Sequence, residues 1–322
     1  MTRRPSYADV LEAATRIRPH IHHTPSFTSA RMNALTGAEL VFKAENLQKT
    51  GSFKARGACN AIFSLGEREA QRGVATHSSG NHAQAVAYAA SLRGIPATIV
   101  MPEDAPPVKV AAVRDYGAEI VWAGPHPLDR EEKLQEVLDR TGAVFVHPSN
   151  DPRVIAGQGT AALEMLADID RERSRGLDIV MAPVGGGGLL SGTALAVSGA
   201  ADGVETVGAE PETVDDAARS FRDGRIHPPT NGVTVADGLR TFLGDVNFPI
   251  IRQHVTRIVT VSEDAIITAM RLMWERTKLI IEPSSAVPVA ALFEHPEVFR
   301  NRRVGIVLSG GNVNLDRLPW QQ

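Results

Sequence analysis

What most constrains the fold of this chain is an alternation that runs through most of it: short, nearly uninterrupted apolar runs, each followed by a stretch of helical periodicity. From residue 74, VATHSS precedes the helical NHAQAVAYAASLRG, PATIVMP precedes PVKVAAVRDYG, and AEIVWAG precedes DREEKLQEVLDRTG, before AVFVHPS closes the set. The second half repeats the pattern with IVMAPV, LLSGTALAVSG, ETVGAEP, RIVTVS, EDAIITAMRLMWERTK and RVGIVLSGGN. Runs this apolar suit strands buried on both faces. Strands alternating with helices make βαβ units, so the sequence predicts an α/β fold with mostly parallel, doubly wound sheets. With 322 residues, one large or two modest domains are expected. The polar, proline-bearing stretch Asp223 to Asn231 reads as loop.

The charge balance removes some functions. A net charge of −3 with no block of like charges gives no reason to expect nucleic acid or an anionic membrane as partner. Cys59 is the one cysteine, so no internal disulfide forms and a reducing, cytoplasmic setting is expected. The opening MTRRPSYADVLEAATRI has no apolar core of a signal peptide and reads as the start of an amphipathic helix. Ile179 to Gly199 lacks charge and has the length of a membrane span, but Pro183 and four glycines interrupt it. A buried strand, a glycine turn and a helix explain it better.

In open parallel sheets, ligands bind beyond the carboxyl ends of the strands. This directs attention to SSGN, VGGGG, AEP and LSGGN. Gly185, Gly186, Gly187 and Gly188 follow a strand and open a helix, where backbone N–H groups and the helix dipole favour a phosphate. Two other readings stay open: a close strand–helix crossing, and a nicotinamide-dependent oxidoreductase. For the latter, Gly186, Gly188 and Gly192 approximate the dinucleotide fingerprint with one glycine displaced, and Glu210 ends the next strand. In NLQKTGSFKARG, Asn46 to Gly57, Lys54 sits beside Phe53 and between glycines. A lysine used as a Schiff-base nucleophile must be partly desolvated, although most lysines in such places are simply exposed. Ser78, Ser79, Gly80, Asn81 and His82 gather hydroxyls, an amide and helix N–H donors that suit a carboxylate, with plain N-capping as the alternative. Ser309 ends the last apolar run, either in a tight turn or against a heterocycle nitrogen.

Taken together, GSFKARG, SSGNHAQA, AGQGTAALE, VGGGGLLSG, IEPSSA and LSGGNVNL, in this order, resemble the fold-type II pyridoxal-phosphate (PLP) enzymes of tryptophan synthase β-like architecture. Within that group the chain resembles the serine racemases and single-domain serine/threonine dehydratases, including 3-hydroxyaspartate dehydratases, from HTPSFTS at Thr24 to about Leu315. The resemblance implies that Lys54 carries PLP as a Schiff base and acts as the base at Cα. It places Phe53 against the pyridine ring, Gly185 to Gly188 on the phosphate, Asn81 on the 3′-hydroxyl and Ser309 at the ring nitrogen, with Gly238 and Glu282 also lining the cofactor. A serine at the ring nitrogen makes a weaker electron sink than a carboxylate would, which suits β-elimination. Ser78, Ser79, Asn81 and His82 would bind the substrate carboxylate. Ser79 would also stand on the face of Cα opposite Lys54, which permits racemisation.

By the same likeness Glu210, Asp216 and the Val214 carbonyl hold a divalent cation, Mg²⁺ or else Ca²⁺ or Mn²⁺. A solvated acidic turn is the plainer reading of those residues. Arg130 falls near the substrate side chain, where a guanidinium would clasp a β-carboxylate; otherwise it is a surface helix arginine. Ser149 and Thr241 depart from the animal racemases, which have asparagine and serine at those places. The chain ends soon after LSGGNVNL, so no C-terminal regulatory domain of the biosynthetic threonine dehydratases is expected.

The expectation is therefore a PLP-dependent lyase. It would take the β-hydroxyl from a small hydroxy amino acid of the L-serine or L-threonine type, releasing a 2-oxo acid and ammonia, with serine racemisation beside it. A 3-hydroxyaspartate ammonia-lyase giving oxaloacetate or iminosuccinate is the alternative, and a nicotinamide-dependent oxidoreductase or a PLP-binding protein without catalysis the remote ones. Residues 73–150 are expected as a small closing domain, residues 1–72 with 151–322 as the larger cofactor domain, and a homodimer as the assembly.

Overall fold

The structure, a computed structural model, describes residues 3–103, 105, 107–124, 126–171 and 175–321. Among these the strands are β1 (Ser26–Thr28), β2 (Glu39–Ala44), β3 (Val74–His77), β4 (Ala97–Pro102), β5 (Glu119–Ala123), β6 (Val144–Phe145), β7 (Ile179–Pro183), β8 (Glu205–Pro211), β9 (Arg257–Val261) and β10 (Arg303–Leu308). One sheet has the order β1-β2-β10-β7-β8-β9 and the other β5-β4-β3-β6. Only the β1–β2 pair is antiparallel among them. The four-stranded sheet thus lies within one continuous segment, and the six-stranded sheet draws on the chain to either side of it.

The alternation in the sequence maps directly onto this topology. Every residue of β4, β7 and β10 is buried, as strands covered by helices on both faces require. The edge strands β5 and β9 begin on exposed Glu119 and Arg257, and such charges blunt a sheet edge against further pairing. Ile179 to Gly199 is a strand and a helix, Gly188–Ala200, joined by the glycine turn. No helix among the described residues is long and apolar enough to cross a membrane. Residues 226–234 have no regular secondary structure.

One helix sets the geometry around the glycine turn. In Pro152–Arg171, a Cβ on Gly157 would stand 2.7 Å from the Arg56 carbonyl oxygen, and one on Gly159 would stand 2.5 Å from that of Gly192. The missing side chains let it pack at backbone distance against both the helix Lys54–Phe63 and the helix Gly188–Ala200. The helix starts that follow KTGSF and VGGG are thereby fixed relative to one another. Arg56, fully buried, adds ion pairs to Glu45 (2.7 Å) and Glu164 (2.7 Å), and Lys43 joins Glu164 at 3.0 Å. Removing one member of so dry a cluster leaves a buried charge unpaired, at a cost of roughly 3–5 kcal/mol.

Candidate active site

Lys54 is the first residue of its helix and Phe53 its cap. The Lys54 Nζ donates a hydrogen bond to the Pro148 carbonyl (2.8 Å) and lies 5.2 Å from the centroid of the Phe53 ring. Burial lowers the amine from its ordinary 10.5 to about 8, against an opposing pull from Glu282. A desolvated ammonium is the less favoured form, so neutral amine is available near neutral pH. The Phe53 N–H donates to the Ser309 carbonyl (3.0 Å), which stitches this turn to the end of β10. Ser309 itself is buried there.

The glycine turn faces the same place. A Cβ on Gly186 would overlap the Ser149 hydroxyl and lie 2.9 Å from Ser149 Cβ, while one on Gly185 would stand 2.8 Å from Leu239 Cα. Gly187 has φ +83° and caps the helix beginning at Gly188. No L-residue adopts that conformation cheaply. The turn is therefore a bare-backbone cradle at a helix start, in a form that suits an anion. Pro148 and Ser149 join it to the lysine.

Across from Lys54, Asn81 Nδ2 donates to both carboxylate oxygens of Glu282 (2.9 and 3.1 Å), and Asn81 Oδ1 accepts from Asn312 Nδ2 (2.9 Å). Asn312 Nδ2 also reaches the Thr50 carbonyl (2.8 Å). Burial pushes the Glu282 carboxyl up to about 7, partly offset by the Asn81 hydrogen bond. N-capping of the helix Asn81–Arg93 by Ser79 or Asn81 is not what the structure has. Gly80 is the cap residue, the Ser78 hydroxyl accepts from the Gly80 N–H (3.3 Å), and the Asn81 amide turns inward. The Gly238 N–H donates to the Ser284 hydroxyl (3.2 Å), beside Glu282.

Three imidazoles line this side. His82 Nε2 pairs with the Val146 carbonyl (2.9 Å), and burial with Lys54 close by holds the ring neutral, well below the usual histidine range. His147 Nδ1 accepts from the Ser149 and Asn150 N–H groups (3.1 and 2.8 Å), and burial takes it down to about 4. His77, at the end of β3, lies 6.5 Å from His147. Burial and then the Arg130 charge lower it too. Arg130, on the helix Pro127–Thr141, is half-buried, and its Nε is buried with no hydrogen-bond partner. Its charge acts on His77, at the carboxyl end of β3 in the smaller sheet.

Glu210, near the end of β8, and Val214 and Asp216, which follow it, form a second group. Glu210 accepts from the Ala217 and Ala218 N–H groups (3.0 and 2.8 Å), yet burial, with Asp216 and Asp215 nearby, pushes it well above the carboxylate range. Burial raises Asp216 to about 7, and its Oδ2 is buried without a partner. Two buried carboxylates, one with an orphaned oxygen, are donors that a hard cation would relieve, although no cluster of three or more metal-ligating side chains occurs among the described residues. Residues that sequence reasoning passed over are Pro148, His147, Asn247 and the pair Lys109–Asp237 (2.8 Å), which bridges the helix Pro107–Asp115 to the short helix Asp237–Leu239. None of them carries a local signal.

A lysine amine lowered to about 8 and a bare-backbone anion cradle in one cleft, at the carboxyl ends of parallel strands, are the groups that carbonyl chemistry on a phosphorylated, lysine-held group would need. The comparisons with known proteins agree. Residues 17–310 match the family model described as pyridoxal-phosphate dependent enzyme, and the chain belongs to that family. It is 51% identical over 316 residues to the beta-hydroxyaspartate dehydratase of Paracoccus denitrificans, covering 98% of this chain and 99% of that protein. It is 46% identical to the serine racemase of Dictyostelium discoideum, over 96% of this chain and 95% of that one. The structure of maize serine racemase superposes with a TM-score of 0.94 at 42% identity, covering 99% of this chain and 97% of the other.

Proposed function

We propose that this chain is a PLP-dependent ammonia-lyase that removes the β-hydroxyl and then the amino group of a small hydroxy amino acid, and that its substrate is a 3-hydroxyaspartate. The desolvated Lys54 amine, joined through Pro148 and Ser149 to the glycine cradle, carries the reading. The cradle fits the cofactor's phosphate because side chains would fill it. Lys54, Phe53, Asn81, Gly185 to Gly188, Gly238, Glu282 and Ser309 are the residues that would hold the cofactor. Bound PLP supplies an electron sink for the pair released at the substrate's Cα.

In this reading the neutral Lys54 amine takes the Cα proton, and the β-hydroxyl leaves as water. Addition of water to the resulting imine then yields a 2-oxo acid and ammonia. Ser78, Ser79, Asn81 and His82 would orient the α-carboxylate, with helix N–H groups behind them. The neutral imidazoles His82 and His147 add no cation to compete with that arrangement. Ser79, on the face opposite Lys54, would return a proton there and so permit racemisation. Closure of residues 73–150 over the cleft would exclude water, and the exposed Lys109–Asp237 pair is a contact such a motion would make and break. A divalent cation at Glu210, Val214 and Asp216 and a homodimeric assembly belong to the same proposal.

The dicarboxylate is preferred over serine or threonine because Arg130 is half-buried, its Nε lacks a hydrogen-bond partner, and its charge acts on His77 at the end of β3. A second carboxylate is its natural partner. The similarity to a beta-hydroxyaspartate dehydratase supports the same choice. The test is release of oxo acid and ammonia from L-serine, D-serine, L-threonine and the 3-hydroxyaspartate isomers. One hydroxyaspartate isomer should dominate, and Arg130→Ala should lower its kcat/KM about 100-fold while barely altering serine turnover. Ser79→Ala should lose racemisation ahead of elimination. A preference for serine or threonine that ignores Arg130 would return the substrate to the general dehydratase class.

A further inference from the structure

Asn247 is the first residue of the helix Asn247–His254 and is fully buried. Its Nδ2 donates to the Gly186 carbonyl (2.8 Å) and the Ser149 carbonyl (3.0 Å), and lies 3.3 Å from Asn150 Oδ1. Three acceptors around one nitrogen fix the orientation of the amide, since the flipped form would face oxygen with oxygen. Its Oδ1 is buried with no partner, an arrangement that stability alone does not favour. Asn150 Oδ1 in turn accepts from the Val246 N–H (3.0 Å).

The two carbonyls bonded by Asn247 belong to the two halves of the site. Gly186 is in the middle of the glycine cradle. Ser149 follows Pro148, whose carbonyl receives the Lys54 amine, and the turn holding both is pinned from behind by His147 Nδ1. Ser149 itself presses directly on the bare Gly186 and Gly188 backbone, with the Thr241 hydroxyl beside Gly185 and Gly186. We propose that Asn247 is a positioning residue that holds the phosphate cradle and the Lys54 resting place in register, so that a phosphate seated in the cradle orders the turn presented to the lysine. This inference rests on the reading of Gly185 to Gly188 as the phosphate site.

The test compares PLP with pyridoxal, which lacks the phosphate, each titrated into the cofactor-free chain and followed by absorbance. Asn247→Ala should weaken PLP binding about tenfold and pyridoxal binding about twofold, so the ratio of the two affinities falls about fivefold. Asn247→Asp, close in shape but with a charge facing two carbonyls and the phosphate, should lower that ratio at least as far. A general loosening of the fold would weaken both ligands by one factor. An unchanged ratio in a folded variant therefore overturns the proposal. Hydrogen exchange on the unaltered chain does not depend on either variant folding. Residues 147–150 should slow together with 185–188 when PLP replaces pyridoxal, and slowing of 185–188 alone would overturn the coupling. If the unaltered chain binds neither ligand at Lys54, the functional reading fails and this inference with it. If it binds PLP normally and the ratio is indifferent to Asn247, only the inference fails.

Discussion

The ionisation of Lys54 offers the sharpest physical prediction. An ordinary lysine near 10.5 is neutral in roughly one molecule in a thousand at pH 7.5, whereas an amine at about 8 is neutral in roughly a quarter. Burial produces the drop, and the Glu282 carboxylate works against it. Glu282→Gln removes that opposing charge while keeping an acceptor for Asn81, so the Lys54 midpoint should fall below 8. The difference should appear only above about pH 7, because Glu282 is itself pushed up to about 7 and is largely uncharged below it. The assay is labelling of the cofactor-free chain with cyanate across pH 6 to 11, reading the Lys54 peptide by mass spectrometry against exposed lysines. The linked stability has a definite sign. Between about 8 and 10.5 the unfolded chain binds more protons at this residue than the folded one, so its destabilising contribution is present below 8 and fades as the pH rises to 10.5. A labelling midpoint at 10 or above, or one that Glu282→Gln leaves in place or raises, refutes the reasoning.

Two further outcomes follow from the same geometry. Gly186→Ala should weaken PLP binding by tenfold or more, since the added methyl overlaps Ser149 and overpacking of this kind costs about 1–3 kcal/mol; equilibrium titration checks it. Mg²⁺ should raise the Tm, more at pH 7.5 than at pH 5.5, because Asp216 must lose a proton held up to about 7 before it ligates, and Asp216→Asn should abolish the shift in a thermal melt.

Much of the architecture was legible because its signals are local. A strand buried on both faces reads as an apolar run wherever it lies, which is why β4, β7 and β10 stand out in the sequence. Four glycines between a strand and a helix likewise announce the cradle. The helix Asn247–His254 was not legible: Pro249 sits in its first turn, where proline is tolerated but obscures the pattern. The partnerships that assemble the site are long-range and escape any local signal. Asn81 meets Glu282 from 201 residues away, and Asn312 meets Asn81 from 231. From the sequence, Asn81 reads equally as a helix cap, and only the packing of the two sheets' carboxyl ends decides against it. Arg130 reads as a surface residue until its helix is laid over the end of β3.

The most direct test of the central claim is reduction of the purified, PLP-loaded chain with borohydride, followed by peptide mapping. The account predicts that the visible chromophore is bleached, that the phosphopyridoxyl mass is found on Lys54, and that Lys54→Ala neither takes up the label nor turns over any hydroxy amino acid. A label on another lysine, or β-elimination surviving in Lys54→Ala, would contradict it.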